Sequence, residues 1–312
     1  MRKLLALLLT TLLLLPIQAS AASDSLWDDA RAGVDGGTIG GISINLSNST
    51  TQETISTELR NLPSIVEVYT ATWCFNCIDS EHALDEAIGD TDVTRIHYHR
   101  HKFETLDPFG SNSTESRWEA EYGEASVMAS RTGTSGGLER LAPSSVFDGE
   151  RFYLGTKTKS NSLLTDYSTS LSLGSSHPFE NTENSSLSFG VEKSESGFNI
   201  SWSNSLSASV DWSAEAVLLF VEQNAHYPDG SNGVEYYKHV LHEAVSLPQW
   251  QEGSIDLTPP APWEGDDMSV VLIIDWETPT QDKSSPLPAP AVSTLLCFLA
   301  AFVPGRKGDS AL

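Results

Sequence analysis

The chain has 312 residues, room for two ordinary domains, and its 39% hydrophobic and 19% charged content supports a packed core and excludes wholesale disorder. Its 42 acidic and 18 basic side chains leave a net charge of -24. Such a surface repels nucleic acid and anionic lipid and argues against both as ligands.

Arg2 and Lys3 lead into an apolar run from Leu4 to Ile17, and Ala19-Ser20-Ala21 follow with small side chains. That order marks residues 1–21 as a secretory signal peptide. Residues 22–60 are rich in Ser, Thr and Gly, and Gly36-Gly37 and Gly40-Gly41 interrupt any helix. The segment reads as a low-complexity stalk with one short strand, Ile42 to Leu46.

From residue 61 the pattern sharpens. Ser64-Ile65-Val66-Glu67-Val68-Tyr69 is a β-branched run ending at Thr70-Ala71-Thr72, a buried strand. Cys74 to Ile88 lacks Gly and Pro, repeats Cys77, Leu84 and Ile88 at helical spacing, and stops at Gly89. Val93 to His99 predicts a second strand. Asn112 to Tyr122 predicts a helix, with Asn112 and Glu115 as a capping box and Gly123 as its stop. Residues 124–140 are a Gly-, Ser- and Thr-rich link. Ala142-Pro143 then enters a strand that turns at Asp148-Gly149 and returns as Arg151 to Leu154, and Lys159 to Leu173 reads as a last helix.

Past Gly174 the runs become short and alternating: Ser186 to Phe189, Phe198 to Trp202, Ala214 to Val221, Tyr236 to Val245, Ser254 to Leu257, Met268 to Trp276. Separated by turn residues, they predict a β-sandwich over 175–280. A Pro/Ser linker fills 281–290. Residues 291–304 are apolar apart from Ser293 and Thr294, and 305–312 form a tail that carries Arg306 and Lys307. This end reads as a transmembrane or sorting-signal segment that attaches the chain to the membrane or surface, with the globular parts outside the cytoplasm.

The cysteines are Cys74, Cys77 and Cys297. A secreted chain stapled by disulfides carries a larger, even set. One C-x-x-C closes a small loop and restrains the unfolded chain weakly, so redox chemistry or metal binding explains it better. Cysteine attacks as thiolate, and Cys74 sits where free helix N–H groups and the positive dipole end favour its anion. Cys74 is therefore the candidate nucleophile, and Cys77, one turn on, the resolving thiol of a redox-active disulfide.

Thr72-Trp73-Cys74-Phe75-Asn76-Cys77 resembles the W-C-x-x-C of thioredoxin-like proteins, and Ala142-Pro143 followed by Val146-Phe147-Asp148-Gly149 resembles their cis-proline, strand and turn. Val66-Glu67-Val68-Tyr69-Thr70, Asp107-Pro108-Phe109, Arg117 with Tyr122-Gly123, and Val221-Glu222-Gln223 with Gly230-Ser231-Asn232-Gly233 are similar to an exported, outer-membrane-protein-type branch with a β-rich carboxy-terminal domain. The resemblance implies a cis Ala142–Pro143 bond beside the thiols, and substrate contacts from Trp73, Ala142 and Pro143. The chain departs from the pattern in three places. Val68 stands where the family has a buried acid, with Glu67 next to it on the opposite strand face; Phe75-Asn76 is neither a reducing nor a strongly oxidising signature; and the 124–141 link is long. The direction of electron flow stays open.

His97, His99 and His101 alternate on one strand face, the pattern of a copper or zinc surface. Two thiols alone make an incomplete zinc site. The acceptors at Asn45, Asn48, Asn112, Asn184 and Asn199 match the N-glycosylation pattern. The expectation is thus an α/β thioredoxin-like domain over 61–174, then an all-β sandwich-like domain. Its function would be extracytoplasmic thiol–disulfide exchange with exported proteins and a redox partner, without a cofactor. The alternatives are a surface binding module with a static disulfide, or a copper or zinc carrier built on the C-x-x-C and the histidine strand.

Overall fold

The computed structural model describes residues 25–279 apart from 104–105, 132–135, 181–183 and 209–210. The signal peptide at 1–21 and the segments at 281–290, 291–304 and 305–312 lie outside the described residues. Among the described residues no helix is long and apolar enough to cross a membrane, so the transmembrane-helix expectation finds no support there.

Thirteen strands and three α-helices are present among the described residues. The strands are β1 Asp28–Asp29, β2 Asp35–Asn45, β3 Gln52–Glu58, β4 Ser64–Thr70, β5 Val93–His99, β6 Ser144–Phe147, β7 Arg151–Leu154, β8 Ser186–Ser194, β9 Gly197–Asn204, β10 Ser213–His226, β11 Tyr236–Ser246, β12 Glu252–Leu257 and β13 Met268–Thr278. The helices are α1 Phe75–Ile88, α2 Asn112–Ser130 and α3 Leu163–Leu173.

Two sheets organise these elements. One has nine strands in the order β1-β7-β6-β4-β5-β11-β10-β13-β2; the other has four, β12-β9-β8-β3. β4 and β5 run parallel and are joined by α1, while β4 and β6 run antiparallel. β11 pairs in parallel with β5, Val240 opposite His97. That pairing overturns the expected division into an α/β domain followed by a separate β domain. The molecule is mostly β, and its central sheet is shared between the C-x-x-C half and the β-rich half.

Side-chain alternation explains the layering. Even-numbered Val66 and Val68 of β4 join Phe147, Leu84 and Ile88 of α1, and Tyr167 of α3 on one face. Odd-numbered Ile65 and Tyr69 meet Trp118 and Tyr122 of α2 on the other, with Leu219, Leu241 and Ile273 from the β-rich half. The four-stranded sheet packs Phe189, Ile200 and Trp202 against Phe220, Leu272 and Ile274 of the large sheet. Each such buried side chain contributes on the order of 1.5–3 kcal/mol. The sheet also curls back on itself. Thr38 N–H of the far edge strand β2 donates to Asp148 O at the β6–β7 turn (2.7 Å), and Thr94 Oγ1 donates to Gly41 O (2.7 Å).

A buried ionic network ties the two halves. Arg117 of α2 donates to Asp275 Oδ2 of β13 (2.5 Å), to Tyr98 Oη of β5 (2.9 Å) and, at 3.3 Å, to Glu67 Oε2 of β4. Tyr98 and Tyr122 both donate to Glu67 (2.5 Å each), and Arg31 and Thr38 donate to Asp275 (2.7 and 2.6 Å). Burial pushes both tyrosines well up. Arg117 and Arg31 hold the Asp275 carboxyl below its usual range against its burial.

Other expectations are also corrected. Residues 22–60 are not a stalk: β2 is the edge of the nine-stranded sheet and β3 the edge of the four-stranded one. The glycines there serve the strand. Gly40 and Gly41 (φ 110° and 70°) form the bulge where the β2–β13 register shifts at Leu272/Ile273. α2 runs through Gly123 to Ser130, and its cap is Ser111, whose hydroxyl accepts from Thr114 N–H. α3 begins four residues later than predicted, capped by Ser162.

Candidate redox site

The loop Ala71–Cys74 leaves the carboxy-terminal end of β4 and enters α1. Cys74 is the N-cap of that helix, in extended backbone conformation, and Cys77 N–H donates back to Cys74 O (3.3 Å). The two cysteines are joined as a disulfide with Cα atoms 5.4 Å apart. Both are buried, Cys74 at 5% and Cys77 at 1% exposure, whereas Phe75 between them is 65% exposed. Ala71, Cys74 and Cys77 form one apolar cluster, with Trp73 and Ala142 packed against it. The Ala142–Pro143 bond is cis. Trp73, Cys74, Cys77 and Ala142, expected together from sequence, are therefore together in space. The guanidinium of Arg100 lies over the Trp73 ring, 5.8 Å from its centroid.

Residues distant in sequence hold this loop. The Asp107 carboxylate accepts from Thr72 N–H (2.8 Å), from His99 Nδ1–H (2.9 Å) and from Phe109 N–H (3.1 Å). Thr72 Oγ1 donates to Leu106 O (3.2 Å). From the β10–β11 connection, Asn232 N–H donates to Thr72 O (3.1 Å), and Tyr237 Oη donates to Asn232 Oδ1 (2.8 Å). Burial and the nearby Asp107 carboxylate push the Tyr237 phenol up to about 12. Gly230 packs so closely that a Cβ there would lie 2.0 Å from Tyr237 Oη and 3.0 Å from Thr72 O.

Helix α1 adds Glu81, one turn after Cys77, whose Oε1 accepts from Thr70 Oγ1 (2.8 Å). Burial raises its carboxyl above the usual carboxylate range. Glu67 turns the other way, into the network with Arg117.

The three strand histidines do not converge. His99 is committed to Asp107. His97 faces His239 (ring centroids 5.6 Å apart), and burial depresses both, His239 to about 4. His101 is half-buried, and its backbone N–H donates to Glu115 Oε2 (2.7 Å). Among the described residues no group of three or more His, Cys, Asp or Glu is placed to hold a metal ion. Asp107, Asn232, Tyr237, Gly230 and Glu81 were not expected at the site. The Asp-Pro-Phe and Gly-Ser-Asn-Gly motifs that carry Asp107, Gly230 and Asn232 are visible in sequence, but their convergence on Thr72 is not.

No protein-family model matches the chain, and neither does any curated protein. Among solved structures it is similar to a protein of Agrobacterium tumefaciens, with 15% identity, TM-score 0.38, and 62% of this chain and 75% of that one covered. It is also similar to HBP35 of Porphyromonas gingivalis, with 12% identity, TM-score 0.37, and 71% and 65% covered. At these scores neither likeness bears on function.

Proposed function

We propose that the chain exchanges thiols and disulfides with exported proteins through the Cys74–Cys77 pair, as a member of the thioredoxin-like group its motifs resemble. One observation carries this reading: the disulfide is seated at the N-terminus of α1 with Cys74 as the cap, where the free N–H groups and the helix dipole stabilise a thiolate. In the oxidising direction, a substrate thiolate attacks Cys74 Sγ, the Cys74–Cys77 bond breaks, and Cys77 leaves as thiolate and takes up a proton. A second substrate thiolate then attacks the substrate sulfur of the mixed disulfide and releases Cys74 as thiolate. The reducing direction is the reverse sequence. The pocket of Ala71, Trp73 and Ala142 keeps the buried sulfurs from bulk water. The amino-terminal signal-peptide pattern supports a place outside the cytoplasm.

The test equilibrates the full chain in dithiothreitol and glutathione buffers of graded potential and reads the thiol state by mass-shift labelling. The expected midpoint is more oxidising than about -300 mV, and Cys74→Ser abolishes exchange with a model disulfide. A midpoint below that value makes the pair a static bridge and overturns the proposal.

A further inference from the structure

The joint between the two halves carries a pair of buried imidazoles. His97 of β5 and His239 of β11 meet edge to face, ring centroids 5.6 Å apart, beside the single pairing of Val240 with His97. His239 Nδ1–H donates to Gln223 Oε1 (3.1 Å), and Gln223 Nε2 donates to Ser269 Oγ (3.4 Å), which fixes the amide with its oxygen towards the ring. The His239 proton therefore sits on Nδ1, and Nε2 carries a bare lone pair. That nitrogen and Nε2 of His97 are both buried and have no hydrogen-bond partner among the described residues.

The surroundings oppose a positive charge on either ring. β5 adds Arg95 and His99, β11 adds Lys238, and β4 places Val68 opposite His97. The carboxylate that faces His239, Asp85 of α1, is already paired with Arg95. Burial first, and then these cations, keep both rings neutral, with His239 down at about 4.

A proton cannot reach either Nε2 while the joint is closed. When β11 moves off β5, water reaches both nitrogens and each ring titrates near its ordinary 6.5. Both rings are bases depressed in the closed state, so closure is at full strength above 6.5 and weakens as the pH falls towards about 4. Between about pH 7 and about pH 5, each ring shifts the balance towards the open state about twentyfold. The movement reaches the loop before Cys74. Tyr237, two residues before His239, donates to Asn232, whose N–H donates to Thr72 O.

We propose that His97 and His239 form an acid-sensitive latch: protons hold β11 off β5, and the loop before Cys74 loses its hold from the β-rich half.

The test follows amide hydrogen exchange of the full chain by mass spectrometry at about pH 7 and about pH 5. Each rate is divided by the intrinsic rate of its amide at that pH, so that the ratio reports opening. The expected opening constants of β5 and β11 rise about tenfold or more at the lower pH, and those of α3 do not. His97→Phe keeps a ring and removes a nitrogen that has no partner, and His239→Asn places there a residue that accepts the local φ of 55°. Each should reduce the rise, and the two together should abolish it. Where the double variant fails to fold, either folded single variant decides. A level opening constant in wild type, an equal rise in α3, or an undiminished rise in a folded variant overturns the proposal.

Discussion

Replacing Arg117 with Met tests whether the two halves of the molecule are one cooperative unit. Met keeps much of the length of the side chain and removes its charge and donors. Asp275 retains Arg31 and Thr38, but Glu67, 0% exposed, loses its guanidinium partner and keeps only the hydroxyls of Tyr98 and Tyr122. Breaking a buried ion pair from one side typically costs about 3–5 kcal/mol, because the partner charge stays desolvated. In a chain of this size each kcal/mol moves Tm by about 2–4 °C, so the expected loss is about 10 °C. The assay follows melting and urea unfolding by far-UV circular dichroism and tryptophan fluorescence, with Trp118 reporting on α2 and Trp202 on the four-stranded sheet. A single transition should move as a whole, because Glu67 and Asp275 sit on strands of the same sheet. Adding Glu67→Gln should restore part of the loss by removing the stranded carboxylate. A loss below about 1 kcal/mol refutes the energetic reasoning. A split transition that leaves the Trp202 signal unmoved refutes the single-unit fold.

Three further outcomes are expected. After reduction Cys74 should alkylate faster than Cys77, since Cys74 combines the helix N-cap with the greater exposure; mass-mapped labelling with equal rates, or with Cys77 faster, contradicts the roles assigned to them. Gly230→Ala should force the β10–β11 connection away from Thr72, costing about 1–3 kcal/mol and speeding alkylation of Cys74; an unchanged melt together with an unchanged rate contradicts the clasp. Burial lifts the Asp148 carboxyl from 3.8 to about 6, against the backbone hydrogen bond from Ile65 and the charge of Arg151 and together with that of Glu150. The folded chain therefore keeps a proton there that the unfolded chain has already released, so this contribution is full below 3.8 and is lost as the pH rises through about 6. Asp148→Asn removes it, and its stability relative to wild type should climb across that window by about 3 kcal/mol, whereas a pH-independent difference contradicts the assignment.

Legibility in the sequence followed the range of the forces involved. β4, α1 and β5 could be read because local signals agree there: a β-branched run, a helix with apolar residues at its own period and Gly89 as its stop. The same logic failed where a tertiary contact decides. Gly36 to Gly41 look like breakers in isolation, yet in β2 they allow a bulge opposite Leu272 and close approach to the Asp148 turn. Gly123 looks like a stop, but α2 continues through it because Ala125 and Ser126 are buried beyond it.

The joint between the halves was the least legible feature. It rests on one parallel pairing, Val240 against His97, residues more than 140 positions apart, and on Arg117, Glu67 and Asp275 from three elements. No periodicity encodes such a meeting. The signs that were present are chemical. Glu67 between Val66 and Val68 and Asp275 between Ile274 and Trp276 each place a carboxylate where burial demands a partner. Arg117 answers both, and α2 is held across the shared sheet by that demand. The same reasoning reaches the thiols. A loop that must keep Cys74 at a helix cap exposes the backbone of Thr72, and its N–H and C=O find Asp107 and Asn232 from opposite sides. The β-rich half thus positions the loop before Cys74 directly, and a perturbation there, as at Gly230, reaches the Cys74–Cys77 disulfide.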